Sequence, residues 1–288
     1  MEVLAGLSTP IVMGILLGGL YTLIALGLSL VFGVMKLINV AHGDLVIFGS
    51  YLAYAAMTML GIDPILSLVT GIPILFAIGF GIQKFLLNRA FTISLDAALL
   101  VCFGISIIFQ NFCQIIWTPF SRGLRPPYGL ESFSIGVVNI PLVYLLDFVA
   151  ALAVMLFLRE FLRRTYLGKA ISAASQDRGA AHLMGINTGR VYAFAFAIAM
   201  AFAAIAGVFL GLTYPFTPTS GVAFLIIAFG VVIIGGLGSI LGTFIGGMVF
   251  GLAQTLGGYF LGAVAQMFVA YILVFVVLAV RPQGIFGR

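Results

Sequence analysis

The sequence predicts an all-α fold of the polytopic integral membrane class, with about 8–9 transmembrane helices. Two observations predict it: an extreme composition and a succession of long apolar runs. Of the 288 residues, 63% are hydrophobic and 7% are charged, whereas a soluble domain carries about 25% charged residues. So few charges cannot cover a surface that faces water. A lipid bilayer is therefore the expected solvent.

The apolar runs divide into long and short ones. Seven are interpreted as spanning helices, because a crossing takes roughly 20 apolar residues. The two short runs, Val222–Leu237 and Ile240–Leu256, form either two spans or one re-entrant pair within residues 222–256. We expect a single transmembrane domain over residues 1–288. The seven runs are Ile11–Met35, Val40–Leu60, Ile65–Leu87, Ala97–Trp117, Pro141–Leu162, Val191–Leu212 and Ala265–Val280.

The positions of lysine and arginine predict the orientation. With the N-terminus outside and all runs crossing, eleven of the thirteen basic residues fall inside, and only Arg122 and Arg125 fall outside. This distribution follows the positive-inside rule, and the reverse orientation breaks it. A re-entrant pair would reverse the last segment. The first ten residues contain no basic residue, so the first run is expected to be a retained span and not a signal peptide.

Many of the 36 glycines are spaced four residues apart. Such spacing leaves one helix face without side chains, so that a neighbouring backbone can approach closely. One interpretation is close packing alone. The other makes Gly235–Gly247 a moving element, with Gly235, Gly236, Gly238 and Gly242 as hinge candidates. The spaced pairs include Gly14/Gly18, Gly207/Gly211, Gly242/Gly246 and Gly247/Gly251.

Three polar residues stand at the inner end of the second run, in LINVAHGDLVIFGSYLAY. They are Asn39, His42 and Asp44. One interpretation is structural. An acid near a helix N-terminus is stabilised by the helix dipole by about 0.3–1 kcal/mol, Asn39 caps the same end, and Lys36 pairs with Asp44.

The competing interpretation is functional, since ionisable groups inside a span are costly and mark functional sites. It makes the same cluster, together with Gly43, line or brace the inner gate. Asp147, inside the fifth run near its outer end, is the second candidate of this kind.

No enzyme signature is complete. In YLGKA, Arg163 stands where a phosphate loop needs its first glycine, and Ala170 where Ser or Thr would hold magnesium. The two histidines are 140 residues apart and form no metal-binding pair, so neither a metal nor a cofactor is expected. Cys102 and Cys113, about 16 Å apart along one helix, lie beyond disulfide reach and are interpreted as small buried side chains.

The longest polar segment, residues 163–190, is expected on the inside. Its alanine-rich middle, Ala170–Gly185, predicts one helix, ended by Gly185 in the left-handed conformation. A short helix with a small-residue face suits a groove on another protein. The alternative is a helix that lies on the membrane or on its own loop.

This segment resembles the EAA---G loop of ABC importer permeases, which docks on the ATPase. In AAHLMGI, Ala180, Ala181 and Gly185 match the motif, while Gly179 stands where glutamate is usual. The residues that the resemblance implies for ATPase coupling are Lys169, Asp177, Arg178, Ala180, Ala181 and Gly185.

The stretch GLSLVFGVMKLINVAHGDLVIFGSYLAY resembles the N-terminal signature of the LivH-type permeases for branched-chain amino acids. Asn39, Ala41, His42, Gly43 and Asp44 match its asparagine-x-alanine-histidine-glycine-acid run. The glycine-rich IGGLGSILGTFIGG and the tail RPQGIFG are similar to the same family. The likeness covers both ends and the middle of the chain.

The resemblance implies a permease subunit of a binding-protein-dependent ABC importer for leucine, isoleucine and valine. It is a transporter subunit and not an enzyme, since its partners would hydrolyse ATP. The implied partners are a second related permease, forming a heterodimer, two cytoplasmic ATPases and an extracytoplasmic solute-binding protein, in a bacterial inner membrane and without nucleic acid. Two alternatives stay open: the same fold importing urea, short amides or other amino acids, and a stand-alone secondary transporter or channel.

Overall fold

The computed structural model describes residues 2–135 and 138–287. In these ranges the chain is almost entirely helical, with one antiparallel hairpin of β1 (Ser132–Ile135) and β2 (Val138–Pro141). The helices are α1 (Glu2–Met35), α2 (His42–Leu60), α3 (Leu68–Ala90), α4 (Leu95–Trp117), α5 (Leu142–Arg164), α6 (Tyr166–Gln176), α7 (Arg178–Leu183), α8 (Thr188–Thr213), α9 (Gly221–Gly235), α10 (Ile240–Leu261) and α11 (Gln266–Val280).

The predicted fold class is confirmed. Among the described residues, seven helices are long and apolar enough to cross a membrane: α1, α2, α3, α4, α5, α8 and α10. Two shorter apolar helices, α9 and α11, have 15 residues each. Helices α1 and α8 are the most deeply buried spans and form the centre, around which the others pack.

The ends of the helices gather on two opposite faces. On one face, Asn88 at the end of α3 donates a hydrogen bond to the Gly189 carbonyl at the start of α8 (3.1 Å); α6 and α7 precede α8 here. On the other face, the Leu124 N–H donates to the Gly211 carbonyl near the end of α8 (2.8 Å), close to the hairpin. We call these the α6–α7 face and the hairpin face. The predicted N-out orientation places the α6–α7 face in the cytoplasm.

The two short runs are two separate passes and not a re-entrant pair. Helix α9 follows α8 from the hairpin face and ends at a turn where Gly238 packs on Gly33, near the end of α1. Helix α10 then returns over its 22 residues to the hairpin face. Because α9 spans only about 22 Å at 1.5 Å per residue, the non-helical residues 214–220 complete the first of these passes.

The prediction of glycine-lined contacts is confirmed between α1 and α10. Gly18 faces Gly247, where an added Cβ would lie 2.6 Å from the Gly247 carbonyl oxygen, and Gly14 faces Gly251 in the same way. Only hydrogen fits at such positions. Because α1 is held by this contact along its length, it is a rigid reference for the site beside it.

Candidate functional site at the centre of the spanning helices

The sequence predicted that His42 stands at the inner end of its span. In the structure it lies deep among the spanning helices. After α1 ends, residues 36–41 turn back alongside it, so that α2 begins beside the middle of α1. The fully buried His42 ring places Nε2 2.8 Å from the carbonyl oxygen of Ile24. Since a carbonyl only accepts, Nε2 carries the proton, and Nδ1 has no hydrogen-bond partner.

Asp44 lies at the same depth as His42 and is hydrogen-bonded to the middle of α4. The Ser106 hydroxyl donates to Asp44 Oδ2 (2.5 Å), and the Gln110 amide donates in turn to Ser106 (3.2 Å). Asp44 is buried, and its Oδ1 has no hydrogen-bond partner. The expected pairing with Lys36 is wrong, because Lys36 is exposed and lies over the ring of Phe32.

Asn39 shapes the chain before α2 and does not cap the helix. Its Oδ1 accepts a hydrogen bond from the Ala41 N–H (3.2 Å), and its backbone carbonyl accepts one from His42 (3.1 Å). Ala41 is the N-cap residue of α2 and provides no side-chain hydrogen bond. The predicted cap is therefore wrong; the side chain stabilises the turn that precedes the helix.

Two helix N-termini meet at this depth. Gly43 in the first turn of α2 lies against Gly221, the first residue of α9, and an added Cβ on either one would overlap backbone of the other helix. The unpartnered Asp44 Oδ1 lies next to Gly221. Because helix N-termini carry partial positive charge, the carboxylate lies in the field of both α2 and α9. The cluster thus joins three elements, α2, α4 and α9, around one buried carboxyl group.

Asp147 lies in a second polar cluster toward the hairpin face. Its Oδ2 accepts a hydrogen bond from the Thr213 hydroxyl (2.8 Å), and its Oδ1 has no partner. Next to it, the Tyr21 hydroxyl donates to Gln254 Oε1 (2.6 Å) and lies 3.3 Å from the Tyr214 hydroxyl. The two predicted aspartates therefore belong to separate clusters.

The four hinge candidates form a tightly packed turn between α9 and α10. Gly236 and Gly238 have positive φ angles of 99° and 83°, a conformation that favours glycine. Gly235 and Gly242 touch through their backbones. The backbones of the two helices are therefore in direct contact at this turn, and a hinge role for these glycines stays a prediction.

The polar segment 163–190 forms two helices and not the single helix that was predicted. Helix α6 ends at Gln176 and α7 begins at Arg178, because Asp177 adopts an extended conformation and accepts a hydrogen bond from the Ala180 N–H (2.9 Å). Asp177 is thus the N-cap of α7. Gly185, with φ 81°, follows α7 in the predicted left-handed conformation.

The exposure of this segment is uneven. Ala181 is buried against its own chain, whereas Ala180 is exposed. Leu183 and Met184 are 88% and 83% exposed. Lys169 and Arg178 are also exposed, and the Arg178 guanidinium lies 5.6 Å from the ring centroid of Tyr192. Of the two motif alanines, only Ala180 is open to a partner.

Three residues of the central cluster were missed from the sequence: Ser106, Gln110 and Gly221. Ser106 has a readable signal, since Ser106 and Gln110 stand four residues apart in an apolar run, on one helix face. Gly221 follows two prolines in TYPFTPTSG, which predict non-helical backbone but not its depth. Among the described residues, no group of three His, Cys, Asp or Glu side chains is arranged to hold a metal ion.

Comparisons with known proteins agree with this architecture. A family model described as the branched-chain amino acid transport system permease component matches residues 11–278. The chain is 35% identical to the high-affinity branched-chain amino acid transport system permease protein LivH of Salmonella typhimurium, over 96% of this chain and 94% of that protein. It is also 35% identical to BraD of Pseudomonas aeruginosa, a permease protein of the same description, over 96% and 95%.

A solved structure shares the fold at low sequence identity. It is a chain of PsaBC from Streptococcus pneumoniae in complex with Fab, 14% identical, with a TM-score of 0.51 over 95% of this chain and 92% of that one. The resemblance to LivH-type permeases is therefore confirmed. The chain belongs to the branched-chain amino acid transport system permease family.

Proposed function

We propose that this chain is one membrane-spanning subunit of a binding-protein-dependent ABC importer for branched-chain amino acids. Its partners would be a second related permease, two cytoplasmic ATPases that hydrolyse ATP, and an extracytoplasmic binding protein. It would lie in a bacterial inner membrane with its N-terminus outside. The names of the relatives LivH and BraD support this substrate class.

The observation that carries the proposal is the exposed apolar end of α7. Leu183 and Met184 are almost fully exposed next to the exposed Ala180, in a segment outside the spanning helices. Large apolar side chains grouped at an exposed site mark an interaction surface. Lys169 and Arg178 are exposed in the same segment and add positive charge to it. We assign this surface, defined as Ala180, Leu183 and Met184, to the ATPase.

The contacts of α6 and α7 provide a route from this surface into the membrane. Gly168 in α6 packs directly on the backbone of Phe161 and Leu162 at the end of α5. Arg178 in α7 stacks on Tyr192 in α8. A push on α7 therefore reaches two spanning helices. The ATPases shift the permease between its states only as far as their affinities for those states differ.

Helix α4 supports the presence of a second permease. Most of its surface is exposed, and that surface carries the amides of Asn111 and Gln114. Amides facing lipid are costly, and such residues usually face a bundle interior or a water-filled cavity. We therefore place the second permease, or the path between the two subunits, against this face of α4. The surrounding exposed residues are apolar, which fits a path of weak selectivity.

The test is co-purification of the ATPases with variants of the assembled transporter. Leu183→Asp and Met184→Asp should lower ATPase recovery about tenfold or more, because a charge would enter an apolar contact, while membrane insertion is unchanged. Val264→Asp is the matched control, since Val264 is fully exposed on the hairpin face. Undiminished ATPase recovery with both α7 variants would overturn the assignment. Uphill leucine uptake by this chain alone, driven by an ion gradient, would overturn the ABC importer proposal.

A further inference from the structure

An open cleft of about 950 Å³ lies on the hairpin face. It is bounded by the segment between α4 and α5 and by the end of α8. Its volume is in the range of small-molecule sites, roughly 300–1,000 Å³. The residues on which the argument depends are Arg122, Arg125, Leu124, Leu130, Thr213 and Tyr214.

The Arg122 guanidinium is held in this cleft by neutral groups only. It donates to the Tyr54 hydroxyl (3.3 Å), the Trp117 carbonyl (3.3 Å) and the Thr118 hydroxyl (3.2 Å). Its Nε is buried without a hydrogen-bond partner. Within the described part of the chain, the one ion pair joins Arg164 and Glu160, so no carboxylate described there neutralises Arg122.

Asp63, an acid on the same face, does not supply the missing anion. Its carboxylate already accepts hydrogen bonds from the Ile65 N–H (2.8 Å) and the Tyr128 hydroxyl (3.1 Å). Burial, and then the contact with Asp63, raise the pKa of Tyr128, so Tyr128 stays a neutral donor. Asp63 does not line the cleft.

The arginine is positioned by rigid backbone. The Arg122 N–H donates to the Phe216 carbonyl (2.9 Å), and the Phe216 N–H donates back to the Arg122 carbonyl (2.8 Å). The guanidinium carbon lies 5.5 Å from the ring centroid of Tyr54. Phe216 belongs to the non-helical segment 214–220, which leads from this face to the start of α9. A ligand held by Arg122 would therefore sit at the outer end of that segment.

The rest of the cleft suits a small molecule that has an apolar side chain and carries one positive and one negative group. Leu124, Leu130 and Leu212 contribute aliphatic wall, together with three prolines. Thr213 also lines the cleft and donates its hydroxyl to the buried Asp147 (2.8 Å), which does not line it. A cation, aliphatic side chains and a hydroxyl next to a buried carboxyl group thus border one cleft.

We propose that this cleft binds an α-amino acid with an apolar side chain, whose carboxylate is recognised by Arg122, with Arg125 as a second cation at the rim. Three guanidinium N–H groups already donate to Tyr54, Trp117 and Thr118, and Nε is buried. The carboxylate would therefore be held by the remaining Nη1 hydrogen and by the positive charge, since hydrogen bonds between ionised groups are strong. The ammonium group would then point toward Thr213 and Asp147. This inference depends on the proposed function, because it specifies how that importer receives its substrate.

The test is saturation-transfer NMR with L-leucine and L-leucinol on the purified transporter without its binding protein. Leucine should bind, whereas leucinol, which lacks the carboxylate, should bind about tenfold more weakly. Arg122→Gln should weaken leucine binding by a similar factor and leave leucinol unchanged. Arg122→Lys should restore part of the leucine affinity.

A second variant tests the cleft and leaves the hydrogen bonds of Arg122 intact. Gly129 lines the cleft, and a Cβ there meets only ordinary contacts with Pro126, at 3.5 Å or more. Gly129→Phe should fill the cleft and abolish leucine binding with the fold intact. Wild-type leucine binding by both Gly129→Phe and Arg122→Gln would overturn the inference.

A third outcome concerns the binding protein. If Arg122→Gln weakens only the docking of the binding protein and leaves leucine binding unchanged, Arg122 binds an acidic side chain of the binding protein. The inference then fails. In either case of failure, ATP-driven leucine uptake by the wild-type complex would still support the proposed function.

Discussion

The two buried aspartates, Asp44 and Asp147, make the same local contact in different surroundings. Each accepts one hydrogen bond from a hydroxyl, Ser106 for Asp44 and Thr213 for Asp147, and each leaves its second oxygen without a partner. Each is buried among spanning helices. The direct hydrogen bonds of the two carboxyl groups are therefore the same in kind, although Gln110 also donates to Ser106, the partner of Asp44.

Their positions relative to helix N-termini differ. Asp44 lies in the first turn of α2, and its free oxygen lies next to the first residue of α9. Asp147 lies in the second turn of α5, where the dipole effect has largely fallen off. The Asp44 carboxyl group thus lies beside two helix ends, whereas the Asp147 carboxyl group is held by one hydroxyl. The backbone around the two residues, more than their direct side-chain partners, therefore distinguishes the two sites.

The largest effect is expected where the backbones of α2 and α9 touch. Gly43→Ala would force a methyl group into the carbonyl of Gly221, and overpacking of this kind costs about 1–3 kcal/mol or more. We expect loss of thermal stability in detergent and loss of transport. Gly104→Ala in α4 is the control, since no atom lies within 4 Å of its added Cβ; it should be neutral or stabilising by about 0.5–1 kcal/mol. Equal melting temperatures for the two variants would remove the basis of the comparison.

Neutralising Asp44 should have the next largest effect. Asp44→Asn keeps the volume and an acceptor for Ser106 but removes the charge between two positive helix ends. We expect a cost of about 1–2 kcal/mol, seen as a lower midpoint of thermal unfolding, together with impaired uptake by a protein that still folds. Uptake at the wild-type rate would show that Asp44 serves only to stabilise the N-terminus of α2.

The sequence predicted the spans well and the depth of their ends poorly. Long apolar runs correctly predicted α1 to α5 and α8, and the four-residue spacing of Gly14 and Gly18 correctly indicated a close helix contact. Depth was missed at His42 and at Gly221 because a hydropathy pattern records how apolar a segment is and not whether its backbone is helical. Residues 36–41 and 214–220 are short enough to be taken for loops. Only tertiary packing brings them inside, where Gly43 and Gly221 touch.

The helix break at Asp177 was missed for a different reason. Alanine-rich sequence favours helix on both sides of Asp177, so helix propensity alone predicts one continuous helix across it. Aspartate is, however, a strong N-cap residue, and its side chain here accepts from the Ala180 N–H. The motif thus predicted where the segment lies. The cap at Asp177 separates α6 from α7, and Leu183 and Met184 are exposed at the end of α7.

The smallest effect on stability is expected for Asp147→Asn. The amide oxygen still accepts from Thr213, and no helix N-terminus loses a charge that it stabilises. Asparagine also has nearly the volume of aspartate and replaces a group that is costly to bury in charged form. We therefore expect a change within about 0.5 kcal/mol, or a small gain, measured by thermal unfolding beside Asp44→Asn. If Asp147→Asn destabilises the protein as much as Asp44→Asn does, the helix ends are not what distinguishes the two sites. Leucine transport by this variant is a separate measurement, because a fall in transport at unchanged stability would indicate that the charge acts on substrate and not on the fold.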